Sequence, residues 1–404
     1  MIKKSTVAII VIIILIMMLF NVFKLTPLSR IVSYLLLISS TIGHLIFIIK
    51  PRMFSKNIKY WYYIGLTTML VSMVTGYLNY NQSFVSGFVA NFNFYNVGSV
   101  ILFVYLILKN NISLPRLFAL IIKVSWVLLG LIALMAITNF VFINESELTG
   151  NIVLVHAGKI SKNLTNFIAI YWIALFLFKS NYKYLWYSLL FFAANHFHDL
   201  QRFALIVSLL VIVIGVLKMK KSNAAKKIII PALFLMILVS VFLFNSIEGT
   251  AVLNKFVEAF KVFTEDSDAI NDASAAIRII QVDFALNQFQ EHPLFGNGFY
   301  RASDFDKAIG KGIYFYPNDI GFFGILYSLG LFGAVLFFKQ LKLIWTQLKI
   351  KQNNQYQLCL VLAMLFVLLS SLITGTSINY YSYFFFLFSL FQLSIFAKQP
   401  LKRN

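Results

Sequence analysis

Apolar runs long enough to cross a bilayer recur along this chain, and no other feature restricts its fold so tightly. They cover roughly residues 5–23, 28–49, 61–79, 84–108, 117–143, 164–178, 184–197, 200–217, 228–247, 318–338, 357–376 and 378–397. A helix needs about 20 apolar residues to cross the hydrocarbon core, and within that core every backbone N–H and C=O must find a partner inside the protein. Helices meet this demand locally. The expected fold is therefore an all-α integral membrane protein of about 12 transmembrane helices, forming one polytopic domain over residues 1–404. With 60% hydrophobic and 12% charged residues, the chain falls well short of the roughly 25% charge of soluble domains. Two spans are irregular: "NFNFYN" interrupts 84–108, and 184–197 is short. The opening "MIKK" precedes a long apolar run with no small-residue cleavage site, so it reads as a retained first span rather than a signal peptide.

An even number of spans puts both termini on one side. The segments "MIKK", "KPRMFSKNIK", "KNNISLPR", "KSNYK", "KMKKSNAAKK", "KQLKLIWTQLKIKQNNQYQ" and "KQPLKRN" then share a side, and together they hold 22 Lys and Arg but no Asp or Glu. The alternate connections hold all fourteen acids. Lys and Arg mark cytoplasmic loops, so both termini are expected in the cytoplasm. The net charge of +20 is then a topology signal with added attraction to anionic lipid, and no nucleic-acid partner is expected. The single cysteine, Cys359, rules out an intrachain disulfide.

On this topology the chemistry faces outward. No cytoplasmic loop could hold a nucleotide-binding fold, and no Gly-rich phosphate loop of the GxxxxGK type occurs. The turn "NHFHDLQR" brings His196, His198 and Asp199 to the outer start of a span that begins with Arg202. The two histidines are too few for a closed metal site and read as a polar turn at headgroup level. A connection over 144–163 carries His156, Lys159 and Lys162. The longest, 248–317, reads as a large outward-facing loop with short amphipathic helices. One covers "NKFVEAFKVF". A second runs through 272–293, started by Asp272 or Ser274 and ended by Pro293, with Ile277, Ile280 and Phe284 on its apolar face and Arg278, Gln281 and Gln288 on another. The turn "HPLFGNGFY" follows, in which Gly296 and Gly298 permit close backbone approach. Asp319 then stands at the outer mouth of a span, where a carboxylate costs several kcal/mol unless it is wet, paired or functional. Arginine forks suit pyrophosphate. Arg202, Arg278 and Arg301 beside acids at one membrane face therefore point to a lipid-linked pyrophosphate with a carboxylate or imidazole base nearby.

The run "AAIRIIQVDFALNQFQEHPLFGNGFY", a polar loop, and then "NDIGFFGILYSLGLFGAVLFF" resemble the bacterial O-antigen ligase/polymerase superfamily. Pro293, Gly296 and Gly298 match its Pro-x-x-Gly-x-Gly turn. Gly330 and Gly333 match its later Gly-x-x-Gly, and "LQRFALIVSLLVIVIG" its upstream Arg. The likeness is specific over about 200–340. Where ligases of this superfamily commonly carry His-Asn, this chain reads Asp319-Ile320, which looks more like polysaccharide-repeat polymerases of the Wzy type. Arg301 and Gly312 also fit an Arg-x10-Gly spacing of some polymerases.

The resemblance implies a metal- and cofactor-independent membrane glycosyltransferase of GT-C type. Its donor would be a glycan on undecaprenyl pyrophosphate, and its product O-antigen or capsular polysaccharide, made at the outer face of the bacterial inner membrane. Arg202 and Arg278 would hold pyrophosphate, Asp319 would be the base, with His292 or Asp283 behind it, and Arg301, Gly296 and Gly298 would contact substrate. Aromatic residues would line a lipid groove and a sugar platform. A chain-length regulator and a flippase are the protein partners this implies. Blander readings stand beside these: Arg202 as a snorkelling anchor, Arg278 as a solvated helix face, Arg301 as an ordinary loop charge and Asp319 as a helix cap. Ligase is the nearer rival function. A flippase or transporter is more distant, because the charges gather at one face and no duplicated halves are visible.

Overall fold

The computed structural model describes residues 4–20, 22, 29–138, 142–145, 152–155, 162–196, 207–208, 210–215, 273–300, 315–350, 354–374, 378 and 381–396. The expected spans over 200–217 and 228–247, and most of the 248–317 loop, lie largely or wholly outside these residues.

Helices dominate: α1 (Lys4–Leu19), α2 (Ser29–Ile49), α3 (Lys56–Tyr80), α4 (Phe84–Ala90), α5 (Phe92–Tyr95), α6 (Val97–Lys109), α7 (Leu114–Ile137), α8 (Lys162–Lys179), α9 (Tyr182–His196), α10 (Ala273–Glu291), α11 (Gly321–Lys349), α12 (Gln355–Thr374) and α13 (Tyr381–Phe396). Among the described residues, five segments are long and apolar enough to cross a membrane: Arg30–Ile49, Phe92–Lys109, Leu114–Met135, Gly321–Lys349 and Gln355–Leu372. Shorter apolar helices cover Thr6–Leu19, Asn163–Lys179 and Tyr381–Ile395.

The middle of the bundle is built from helices that are apolar all round, as a helix enclosed by others must be. α13 packs against α3, α6 and α12, and α8 against α9 and α12. Phe384 to Phe388 of α13 are all buried, with the Phe386 ring 5.1 Å from Phe103 and 5.3 Å from Phe20. The outer helices α2 and α7 instead leave large apolar side chains uncovered, Ile49 at 72% and Ile137 at 80% exposure, as surfaces solvated by lipid do. Apolar association gains little in lipid, so close packing and polar contacts must join helices. Where α2 meets α6, the Ser39 and Ser40 hydroxyls each lie 2.7 Å from Ser99 Oγ, and Ser40 Oγ donates to Asn96 Oδ1 at 3.1 Å.

Four details refine or depart from the sequence reading. The apolar run 84–108, expected to be interrupted at "NFNFYN", is three helices broken at Asn91 and Asn96, where the Asn91 side-chain amide donates to the Gly87 carbonyl at 2.9 Å beside its own backbone N–H at 3.0 Å. The 144–163 connection contributes to an antiparallel two-stranded hairpin, Phe142–Glu145 with Ile152–Val155, the one addition to the all-α expectation among the described residues. α11 continues eleven residues past the expected end at 338, because "KQLKLIWTQLK" buries Ile344 and Leu348 while its lysines face outward. The fourth concerns which side of α10 turns inward.

Candidate functional site

The site is organised around a break in α11. Gly330 has φ +61° and ψ −149°, which interrupts the helix. Such a break leaves carbonyls above it and N–H groups below it without helical partners, and inside a membrane these must be satisfied. The turn 293–298 does this. The Asn297 and Gly298 N–H groups donate at 2.8 Å to the Tyr327 and Ser328 carbonyls. The Leu331 and Phe332 N–H groups donate to the Pro293 and Leu294 carbonyls at 2.8 and 3.0 Å. Turn and break fit only because both meeting points lack a side chain. A Cβ on Gly296, itself at φ +64°, would lie 2.6 Å from the Gly330 nitrogen, and one on Gly330 would lie 2.6 Å from the Pro293 carbonyl.

The other side of the turn is fastened to the end of α3. Helix α3 starts with Ser55 accepting from the Ile58 N–H at 3.3 Å and ends at Asn81 in the left-handed region. Near that end Ser72 Oγ accepts from the Phe299 N–H at 2.7 Å, Asn79 donates to the Gly296 carbonyl at 3.3 Å, and Gln82 donates to the Phe299 carbonyl at 3.1 Å. A Cβ on Gly298 would overlap the Ser72 carbonyl. Gly296 and Gly298 are thus buried against protein backbone on α11 and α3, and the close approach they permit is made there.

From the turn, α10 runs back along the first half of α11. Ala285 is 1% exposed and Gln281 2%, whereas Ile277 and Ile280 are 41% and 53% exposed. The inward stripe is therefore the one carrying Gln281, Phe284 and Ala285, which keeps Phe284 of the apolar face expected from sequence but leaves Ile277 and Ile280 open. Beneath α10 lies a cluster of rings from three parts of the chain. Tyr80 and Tyr327 hydroxyls are 2.6 Å apart, Tyr300 sits edge-on to both, and Phe284 and Phe315 pack within 4.8 Å of each other, with Phe315 4.7 Å from Tyr327. Tyr327 and Phe315 are buried, while Tyr80, Tyr300 and Phe284 are half-buried, and together these rings hold α10, Tyr80 and the mouth of α11 in place. The sequence carries twenty tyrosines and offers no signal that singles out these three.

Ile320 belongs to the same cluster, which places Asp319 at its edge. Asp319 lies in the 3-10 turn Pro317–Ile320, just before α11 begins at Gly321. Its carboxyl is half-buried, and burial pushes its pKa above the ordinary 3.8; the Arg278 guanidinium on α10 pulls the other way, more weakly. Arg278 is itself exposed. The arrangement therefore sets an accessible cation against a partly desolvated carboxylate at the mouth of a span, which can hold an anion beside a proton acceptor. Of the other expected site residues, Asp283 is exposed and His292 half-buried, both on the α10 side of the turn. Arg202 and Arg301, with His198 and Asp199, lie outside the described residues.

The family model described as O-antigen ligase matches residues 187–338. This stretch contains α10, the glycine turn, Asp319 and the break in α11, so the part of the chain that builds the site is similar to the O-antigen ligase family. No curated protein matches the chain.

Proposed function

We propose that this multi-pass membrane protein of O-antigen ligase/polymerase type is a glycosyltransferase that joins undecaprenyl-pyrophosphate-linked oligosaccharide repeats into O-antigen or capsular polysaccharide, at the outer face of the bacterial inner membrane. The observation that carries this reading is that α10, which carries Arg278, packs against the turn holding the half-buried Asp319 inside the matched segment, so that the guanidinium acts electrostatically on the carboxyl. In the reaction, the acceptor sugar hydroxyl attacks the anomeric carbon of the donor glycan, the bond to pyrophosphate breaks, and the hydroxyl proton passes to a base. Arg278, with Arg202 and Arg301, would neutralise the pyrophosphate leaving group. Asp319 would take the proton, since a carboxylate with a raised pKa is a stronger base than a solvated one. The reading of Asp319 in place of His-Asn favours polymerase over ligase. Gly296 and Gly298 would act by holding the turn rather than by touching substrate.

The test is the surface glycan of cells carrying Arg278→Ala or Asp319→Asn at normal expression. Single capped repeats in place of ladders are expected. Unchanged ladders would remove the polymerase assignment, and loss of even the single capped repeat would favour ligase.

A further inference from the structure

The turn 293–298 belongs to a segment that reads in sequence as part of an outward loop, yet its partners lie well inside the bundle. It docks at Gly330, nine residues below the start of α11, or about 13 Å along the helix axis. On α3 Gly298 meets Ser72 and Gly76, four to eight residues before the helix ends at Tyr80, and the Gly296 carbonyl accepts from Asn79 nearer that end. At 3.6 residues per turn, Gly330 lies about two and a half turns below the start of α11, and the deepest α3 contact about two turns below the end of α3. Irregular backbone is tolerated at such depth only when protein buries it, and here four main-chain hydrogen bonds to α11 do so.

The side chains at its tip point the other way. Leu294 is 62% exposed and Phe295 48%, and they adjoin a row on α11 that is open as well: Leu331 at 48%, Val335 at 51% and Phe338 at 56%. Phe295 lies 6.2 Å from Phe332, so turn and helix form one apolar surface. That row lies at four- and three-residue steps on a helix long and apolar enough to span a bilayer, whose uncovered apolar side has lipid as its natural solvent. From this continuity we infer that the segment 292–298 is re-entrant, dipping into the nearer leaflet, and that Leu294 and Phe295 rest on the acyl chains of bilayer lipid. The turn then serves as a wedge between lipid and the break in α11, and it fixes α10, and Arg278 with it, at the depth of the headgroup phosphates.

Spin labels test this without reference to transfer activity. Cys359 is buried, so labels can be placed at Leu294→Cys and Phe295→Cys in the full chain, reconstituted in phosphatidylethanolamine–phosphatidylglycerol liposomes. Val335→Cys serves as the lipid reference and Lys349→Cys as the aqueous one. Labels at 294 and 295 are expected to collide with dissolved oxygen and not with a water-soluble nickel chelate, as at 335. Nickel collisions equal to those at 349 would show an aqueous loop and overturn the inference. So would labels shielded from both reagents and broadened by spin–spin coupling, which would mean that a second copy of the chain covers the patch.

Discussion

Asp319 joins two consequences that can be separated by experiment. Its pKa is raised by burial more than Arg278 lowers it. A carboxylate acting as base works only when ionised, so transfer in proteoliposomes should rise with pH through the raised value. Arg278→Gln deletes the lowering contribution and should move the titration of the Asp319 carboxyl, followed by infrared difference spectroscopy against Asp319→Asn, to higher pH; a titration that stays in place would disconnect the two residues. The effect on stability has the opposite direction. A folded-state pKa above the unfolded one means that the unfolded chain gives up the proton first, so stability is full below about pH 3.8 and falls as pH rises toward the folded value. Asp319→Asn should therefore leave the Tm at neutral pH unchanged or raised while transfer is lost. A fall in both would make Asp319 a structural cap. Both residues were legible in the sequence because charge is scarce there, and a charge at a span mouth stands out. The tyrosine cluster beside them was not legible, because tyrosine is common in the chain and only the fold brings residues 80, 300 and 327 together.

Among elements, the break in α11 and the turn that fills it form one unit. Sequence pointed to both halves through "PLFGNG" and the Gly-x-x-Gly, but it could not show that they face each other across 30 residues. The expected apolar face of α10 holds at Phe284 and fails at Ile277 and Ile280 for a physical reason: apolar residues mark the buried side of a helix in water, whereas in a membrane protein they can equally mark the exposed side. The unit predicts a sharp contrast among glycines. Gly330→Ala places a Cβ at positive φ and extended ψ, a region almost reserved for glycine, costing about 1–3 kcal/mol, and drives it into the backbone of the turn, where overpacking adds about 1–3 kcal/mol. Gly296→Ala should behave alike. Gly130 on α7 has nothing within 4 Å of its would-be Cβ, and Gly130→Ala in a helix interior should be neutral or stabilising by up to about 1 kcal/mol. Thermal unfolding in detergent checks the ranking. Equal effects at 130 and 330 would mean that the turn and the break are not locked together.

At the scale of the whole molecule, the hydropathy pattern conveyed the class of fold and the positions of most helices, because crossing a bilayer imposes length and composition directly on the sequence. It also flagged the interruption at "NFNFYN", where the structure breaks the run at Asn91 and Asn96, but it could not convey the Phe142–Val155 hairpin, which depends on local polar pairing. Orientation is the remaining property, and loop charge is what argues it: the basic-residue rule expects Lys56 and Lys59 of α3 and Lys339 to Lys349 of α11 on the cytoplasmic side. The structure fixes how the two helices lie against each other, with Lys339 Nζ donating to Tyr60 OH at 3.0 Å at one end and Tyr80 meeting Tyr327 at the other, an antiparallel pair that agrees with the expected alternation of spans. Green fluorescent protein fused after Asn404 or within Asn110–Asn111 should fluoresce, and alkaline phosphatase inserted at Asn81–Ser83 should be active. An active phosphatase at Asn110 with a dark fusion at Asn404 would invert the molecule and place the Arg278–Asp319 pair in the cytoplasm, away from the face at which the proposed lipid-linked repeats are joined.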